Sequence, residues 1–248
     1  MSNVLEFYDN PSRLKNKIWS PNTIKARYAL NYKGLPYKTI WVEFPDIEAK
    51  YKEIGATPVD KKADGSPYYT VPILRDHSTG AVVSGSLQIV EYLDKQYPDT
   101  PALIPAGTLA LQTAFNDAYM SKLGGLFPFL LPKVTWIMNP RTEEFFRSTR
   151  LATYGVTMEE MYPKPESQKE QWEKLEKDLA SVAGWFKEGD EFVMGDKPSY
   201  ADMIIAGWLV PVRLLWGENS EEWKNIASWH GERWGRLVKS LQKHETVV

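Results

Sequence analysis

The strand-like stretches of this sequence are confined to its first third, and this asymmetry restricts the possible folds more than any other feature. Alternating, β-branched and aromatic residues predict strands at 4–8, 39–44, 71–74 and 81–83. Beyond residue 108, only helical patterns follow. Such a segregated order of elements predicts an α/β domain followed by an all-α domain.

The helices of the first part fit between these strands in a recognisable order. A helix is predicted over 22–33, where Gly34 ends it, and a short helix over 46–54, which Gly55 ends. A third helix, 86–97, repeats apolar residues on one face. The order is βαβ, a helix-containing loop and ββα, so residues 1–98 are assigned to a thioredoxin-like domain.

A C-terminal helical bundle domain is predicted over residues 107–248, after a segment rich in proline and glycine. Pro128 and Pro132 should kink or break its first helical stretch, because proline removes a backbone donor. The predicted helical stretches are 109–139, 142–161, 167–188, 200–215 and 221–242.

Composition excludes several kinds of function. Among the 248 residues there is no cysteine, so the chain has no disulfide, no thiolate metal site and no thiol nucleophile of its own. Its 30 basic and 32 acidic residues argue against nucleic acid or an anionic membrane as the partner. Neither a membrane span nor a secretory signal is visible, so we expect a cytoplasmic protein. The histidines lack metal-ligand spacing, and no metal is expected.

A serine stands immediately before the first predicted helix, in the sequence Trp19-Ser20-Pro21-Asn22-Thr23. The N-terminus of a helix offers unpaired N–H groups and the positive end of a dipole. An anion held there is stabilised, and a thiol held there becomes more acidic. Two interpretations stay open: Ser20 or Asn22 caps the helix, or Ser20 acts chemically on a ligand.

A Val71-Pro72 pair lies between a loop and a predicted strand. If its peptide bond is cis, the N–H and C=O of Val71 are left to face a ligand, and a peptide ligand can bond them as a short extra strand. The alternative is an ordinary proline at a sheet edge.

The segment Ser199-Tyr200-Ala201-Asp202 has the spacing of a capping box, with Asp202 in the place of the usual glutamate. We interpret it as structural: it starts a core helix and takes part in no chemistry.

At these spacings the three motifs together resemble the cytosolic glutathione transferase family, over nearly the whole chain. Ser20 to Thr23, followed by Arg27 to Leu30, looks like the first active-site motif of that family. Val71-Pro72 matches its cis-proline motif, and Ser199 to Asp202 matches its capping box. The stretches 20–37 and 68–72 look most like the fungal-specific A class, which is related to bacterial lignin β-etherases.

The resemblance implies a glutathione transferase, in which the thiolate of the co-substrate glutathione attacks an electrophilic carbon. Ser20 would stabilise the thiolate, and glutathione would be bound by Asn22, Val71, Pro72 and Ser86. One position departs from the family pattern, because a glycine, residue 85, replaces the acidic residue that usually precedes the serine. This replacement predicts weaker binding of the γ-glutamyl part of glutathione.

The resemblance also implies a homodimer and, in the helical domain, a site for hydrophobic aromatic molecules. The predicted residues of that site are Tyr119, Phe127, Phe129, Trp136 and Trp208. Two other functions stay open on the same fold: a non-catalytic carrier (ligandin) of aromatic small molecules, and a protein-interaction module.

Overall fold

The computed structural model describes residues 4–62 and 64–248. Its first part is built on a four-stranded sheet with the order β2-β1-β5-β6. The first pair is parallel, and the other two pairs are antiparallel. The strands are β1 (Leu5–Asp9), β2 (Tyr37–Trp41), β5 (Ile73–Arg75) and β6 (Val82–Ser84), and a separate hairpin is formed by β3 (Asp60–Lys61) and β4 (Pro67–Tyr68).

Three helices cover the two faces of the sheet: α1 (Pro21–Tyr32), α2 (Ile47–Ile54) and α3 (Ser86–Gln96). Side chains of β1 alternate between the faces, as the pleat of a strand requires. Phe7 packs in the main core with α1 and α3, whereas Tyr8 packs on the opposite face with residues of α2. This arrangement confirms the predicted thioredoxin-like domain.

The second part is helical, as predicted. Between α3 and its first helix, residues 97–108 form no helix or strand, and the two domain ranges given above remain predictions. The helices are α4 (Leu109–Met120), α5 (Phe127–Trp136), α6 (Pro140–Tyr154), α7 (Met158–Met161), α8 (Pro165–Ala183), α9 (Tyr200–Trp216) and α10 (Glu221–Leu241).

The break in the stretch 109–139 falls elsewhere than predicted. It lies at 121–126, before the prolines. Pro128 stands in the first turn of α5, where the missing N–H would have had no helical partner, and Pro132 lies inside that helix. At Gly125 the chain runs against α8, since an added Cβ would lie 3.0 Å from the backbone nitrogen of Leu175. Glycine, rather than proline, therefore sets this turn.

Two other stretches are also interrupted where a single helix was predicted. The stretch 142–161 is divided into α6 and α7 at Gly155, which has a φ of 73°. Within α10, four residues from Trp229 to Glu232 leave the helical conformation, and three of them have a positive φ. Glycine at position 231 accounts for only part of this kink, because His230 and Glu232 take the same left-handed conformation.

Helix α9 is the central helix of the helical part, and its start is fixed by the predicted capping box. The carboxylate of Asp202 accepts the backbone N–H of Ser199 at 2.8 Å and its hydroxyl at 3.0 Å. The same carboxylate accepts the N–H of Val193 at 2.8 Å. The box therefore also anchors the loop that leads into α9, which confirms its structural role.

Helix α9 packs tightly against α1 at Gly207. A Cβ added there would lie 2.8 Å from the carbonyl oxygen of Pro21 and 2.9 Å from Cγ of Lys25. A glycine at this place lets the first turn of α1 pack directly on α9, so α9 determines where the N-terminus of α1 lies.

We expect Gly207→Ala to lower the free energy of unfolding by about 1–3 kcal/mol, because the added methyl group has no space. Urea unfolding of both forms measures the difference. Gly124→Ala is the control, since the nearest atom to its added Cβ is Lys174 Nζ, at 3.5 Å. Equal stability of the two variants would contradict the close approach of α1 and α9.

Candidate functional site

A cleft between the two parts of the chain holds most of the residues that the motifs pointed to. It consists of two adjoining cavities that share Asn22, Asp60, Thr70 and Val71. The polar cavity, of about 210 Å³, extends toward the N-terminus of α3. The apolar cavity, of about 180 Å³, extends toward α5 and α9. Ligands of α/β proteins commonly bind in such inter-domain clefts.

Ser20 occupies the N-cap position of α1 and lines the apolar cavity. Its backbone is extended, but its side chain makes no capping hydrogen bond. Because Pro21 follows, the first N–H groups that α1 can offer are those of Asn22 and Thr23, and neither bonds a residue that the structure describes. The hydroxyl and two free amides thus lie together at the positive end of a helix dipole.

Val71 lies where the two cavities meet, and its peptide bond to Pro72 is cis. Neither its N–H nor its C=O makes a hydrogen bond to the described part of the chain. The next backbone carbonyl, that of Pro72, accepts the N–H of Gly85 at 3.0 Å and is therefore occupied. The free edge at Val71 is one residue long, which fits the backbone of a short peptide.

Ser86 begins α3 and lines the polar cavity. Its hydroxyl lies 2.9 Å from the hydroxyl of Tyr200 at the start of α9. The glycine before it, Gly85, has a φ of 88°, a conformation that residues with a Cβ rarely adopt. Oε1 of Gln88 occupies the place where a Cβ of residue 85 would lie. The backbone conformation therefore favours glycine here, whereas the flexible end of the Gln88 side chain can move aside.

A buried ion pair fixes α1 to the sheet behind the cleft. Arg27 Nη2 donates to Asp9 Oδ2 at 2.8 Å, and neither side chain is exposed. The other terminal nitrogen of Arg27 donates to the hydroxyls of Tyr37, at 3.1 Å, and Thr39, at 3.0 Å. Burial raises the pKa of Asp9, and the guanidinium opposes this shift. The pair links α1 to both β1 and β2.

Of the predicted aromatic residues, only Trp208 lines the apolar cavity. Phe127 does not line this cavity but packs edge-to-face on Trp208, with ring centroids 5.2 Å apart. Tyr119 is fully buried in the main core, where it stacks on Phe115. The other aromatic residues that line the cavity were not predicted for the aromatic site; they are Trp19, Phe44, Tyr68 and Phe146, and Arg150 lines the cavity beside them.

Phe129 and Trp136 belong to a separate group at the surface. Both pack on Tyr162, at centroid distances of 5.8 and 5.6 Å, and Phe129 also packs on Trp172 at 5.5 Å. We call these four residues the outer aromatic cluster. Three of them line a surface cavity of about 260 Å³, and Trp136 is 39% exposed.

Within residues 4–62 and 64–248, no group of three or more potential side-chain ligands could hold a metal ion. No helix in that part of the chain is long and apolar enough to cross a membrane.

Comparison with known proteins identifies this architecture. Residues 19–96 match the model for the N-terminal domain of glutathione S-transferases, and residues 110–244 match the model for the C-terminal domain. The glutathione S-transferase-like protein ustS of Aspergillus flavus is 32% identical over 223 residues, which cover 83% of this chain and 79% of that protein.

Solved structures agree with this assignment. A glutathione S-transferase of Ceriporiopsis subvermispora, CsGST63524, solved in complex with glutathione, is 45% identical, with 99% of both chains covered and a TM-score of 0.94. Glutathione transferase GSTFuA3 of Phanerochaete chrysosporium is 38% identical, with 99% of this chain and 98% of that chain covered and a TM-score of 0.92. The chain therefore belongs to the glutathione S-transferase family and is a glutathione transferase, and its resemblance to fungal members is confirmed.

Proposed function

We propose that the chain binds glutathione in the polar cavity and along Val71, and that Ser20 stabilises the glutathione thiolate. The thiolate sulfur attacks an electrophilic carbon of a hydrophobic, aromatic molecule in the apolar cavity. A sulfur–carbon bond forms, the leaving group departs with its electron pair, and the thiol proton passes to solvent. The observation that carries this proposal is the uncapped hydroxyl of Ser20 at the free N-terminus of α1, beside the apolar cavity.

Ser20 and the N-terminus of α1 can supply enough free energy to favour the ionised thiol of glutathione. A free thiol with a pKa of about 8.5 is only about 3% ionised at pH 7. Lowering that pKa by about two units takes roughly 2.7 kcal/mol of preferential stabilisation of the thiolate. A hydrogen bond to a charged group contributes about 1.5–3 kcal/mol, and the end of a helix about 0.3–1 kcal/mol. Ser20 and α1 together therefore suffice.

The lining of the apolar cavity supports a preference for aromatic electrophiles. Trp19, Phe44 and Trp208 offer ring faces or edges, and aromatic contacts add about 0.5–1.5 kcal/mol beyond area burial. The guanidinium of Arg150 lies 4.2 Å from the centroid of the Phe146 ring, and it has no ion-pair partner among the described residues. This guanidinium favours electrophiles that carry an oxygen acceptor.

The outer aromatic cluster favours a second candidate function, transport of aromatic small molecules. Its rings border a cavity that is separate from the cleft, so a polyphenolic compound could bind there without meeting glutathione.

The homodimer implied by the resemblance also remains a proposal.

Turnover of glutathione with an activated aryl halide distinguishes the two functions. We expect the rate to depend on the concentrations of both glutathione and the aryl halide, and to saturate with each of them. Absence of turnover, together with binding of phenolic compounds at micromolar concentration, would leave only the carrier.

Two variants locate the aromatic site. We expect Trp208→Leu to weaken binding of the aryl substrate by about tenfold, because it removes an aromatic contact from the cleft while keeping an apolar side chain. Trp136→Leu, in the outer aromatic cluster, is the matched control and should leave the KM for this substrate unchanged. The reverse result would place the electrophile at the outer aromatic cluster and contradict the proposed cleft.

A further inference from the structure

The surface cavity beside the outer aromatic cluster, which we call the outer cavity, joins aromatic walls to an unpaired carboxylate. Its aromatic lining residues are Phe129, Tyr162, Trp172 and Trp216. They come from α5, the segment between α7 and α8, α8 and α9. None of the residues that line this cavity also lines the cleft. A ligand of the outer cavity therefore binds outside the proposed site of glutathione and its electrophile.

Packing holds the rings of the outer cavity in place before any ligand binds. Phe129 packs edge-to-face on both Tyr162 and Trp172, with centroid distances of 5.8 and 5.5 Å. Trp172 also packs on Trp229, at 5.7 Å. Because each ring is supported by another, the wall of the cavity is preformed, and a ligand does not have to order it.

The faces of aromatic rings attract cations. The quadrupole of a ring is negative over its face, so a cation within about 6 Å of the centroid is stabilised, most strongly by tryptophan. Trp216 accepts such a cation within the fold, since Nζ of Lys133 lies 4.8 Å from the centroid of its ring. Lys133 does not line the outer cavity, so its ammonium group does not fill it.

Glu222 brings a negative charge to the same cavity. It lies in the first turn of α10 and lines the outer cavity together with two other charged residues. Those two have partners: Lys169 pairs with Glu173 at 3.9 Å, and Glu221 pairs with Lys224 at 3.8 Å. Glu222 forms no ion pair within the part of the chain that the structure describes. Its carboxylate is thus available to a ligand.

This carboxylate lies within electrostatic range of the aromatic wall. Burial raises the pKa of the Tyr162 hydroxyl, and the negative charge of Glu222 raises it further. A cation placed in the outer cavity would therefore meet ring faces and an unpaired carboxylate at the same time. Two carboxylates and one ammonium group line the cavity, so the local charge also favours a cation.

We propose that the outer cavity binds a protonated or quaternary amine that carries an apolar, preferably aromatic, body. The rings would surround the alkylammonium group, and the carboxylate of Glu222 would balance its charge. A neutral phenol of the same shape would fill the cavity but leave the carboxylate without a partner. The inference goes beyond the proposed function and does not depend on it, since the cavity shares no residue with the cleft.

The test compares two ligands of the same shape that differ in charge. One is 4-hydroxyphenyltrimethylammonium, and the other is 4-tert-butylphenol, in which a carbon atom replaces the charged nitrogen. Binding is followed by the indole N–H resonances in proton NMR spectra, where Trp172→Leu and Trp216→Leu assign the signals of the cavity. Both ligands are titrated into the wild-type protein, into Glu222→Gln and into a control, Glu144→Gln, which changes an exposed glutamate of α6 outside the cavity.

We expect the wild-type protein to bind the cation at least about tenfold more tightly than the neutral phenol, and the cation to shift the signals of Trp172 and Trp216. Glu222→Gln should weaken binding of the cation by about three- to tenfold and leave binding of the phenol unchanged. Glu144→Gln should bind both ligands as the wild type does.

Several results would overturn the amine site. Equal affinity of the wild-type protein for the two ligands would show that charge is not recognised, and this comparison needs no variant. Equal effects of Glu222→Gln on both ligands would remove the role of its carboxylate. Shifts confined to tryptophans other than Trp172 and Trp216, or binding of neither ligand, would likewise contradict the proposal.

Discussion

Replacing Arg27 with methionine should lower the free energy of unfolding by about 3–5 kcal/mol, because it leaves the carboxylate of Asp9 buried without its partner. Both side chains of this pair are fully buried, so water does not compensate for the loss. The same replacement removes the two hydrogen bonds to the hydroxyls of Tyr37 and Thr39. Urea unfolding measures the change.

Two further variants make this prediction specific. Arg141 forms a similar pair with Asp46 at the surface, with two bonds of 2.7 Å. Arg141→Met should cost less than about 1 kcal/mol, because exposed pairs contribute little. The double variant Asp9→Asn with Arg27→Met should be less destabilised than the sum of the single variants, since it leaves no isolated charge. An Arg27→Met variant as stable as Arg141→Met would contradict the role of the buried pair.

The thioredoxin-like part could be predicted from the sequence because its signals are local. Strand alternation and the glycines at 34 and 55 mark elements that the structure contains. The helical part was harder to predict. Its breaks depend on contacts between distant segments, such as the approach of Gly125 to α8, and a proline in the first turn of a helix looks like a helix breaker in sequence.

The residues of the candidate site could likewise be predicted only in part. Ser20, Val71 and Ser86 stand at element boundaries that a motif can mark, and all three line the cleft. The aromatic residues of the apolar cavity come from the segment before α1, the segment after β2, β4, α6 and α9, and no local spacing connects them. Lys25, which also lines the polar cavity, looks in sequence like an ordinary helical lysine, and its burial becomes visible only in the structure.

Ser20→Ala should lower the turnover of glutathione with an activated aryl halide by roughly ten- to a hundredfold, the equivalent of one hydrogen bond to a charged thiolate. The fold should be unaffected, because the hydroxyl makes no capping bond in α1. Stability of the variant by urea unfolding checks this. Ser20→Thr, which keeps a hydroxyl, should retain a substantial part of the activity.

The pH titration of glutathione bound to the protein tests the central claim most directly, with thiolate absorbance in the ultraviolet as the signal. In the wild-type protein we expect the thiol pKa to lie about two units below its free value of about 8.5. In Ser20→Ala it should rise by about one to two units, because the hydrogen bond that favours the thiolate is gone. If both proteins give the same titration midpoint, Ser20 does not stabilise the thiolate and the proposed mechanism is wrong.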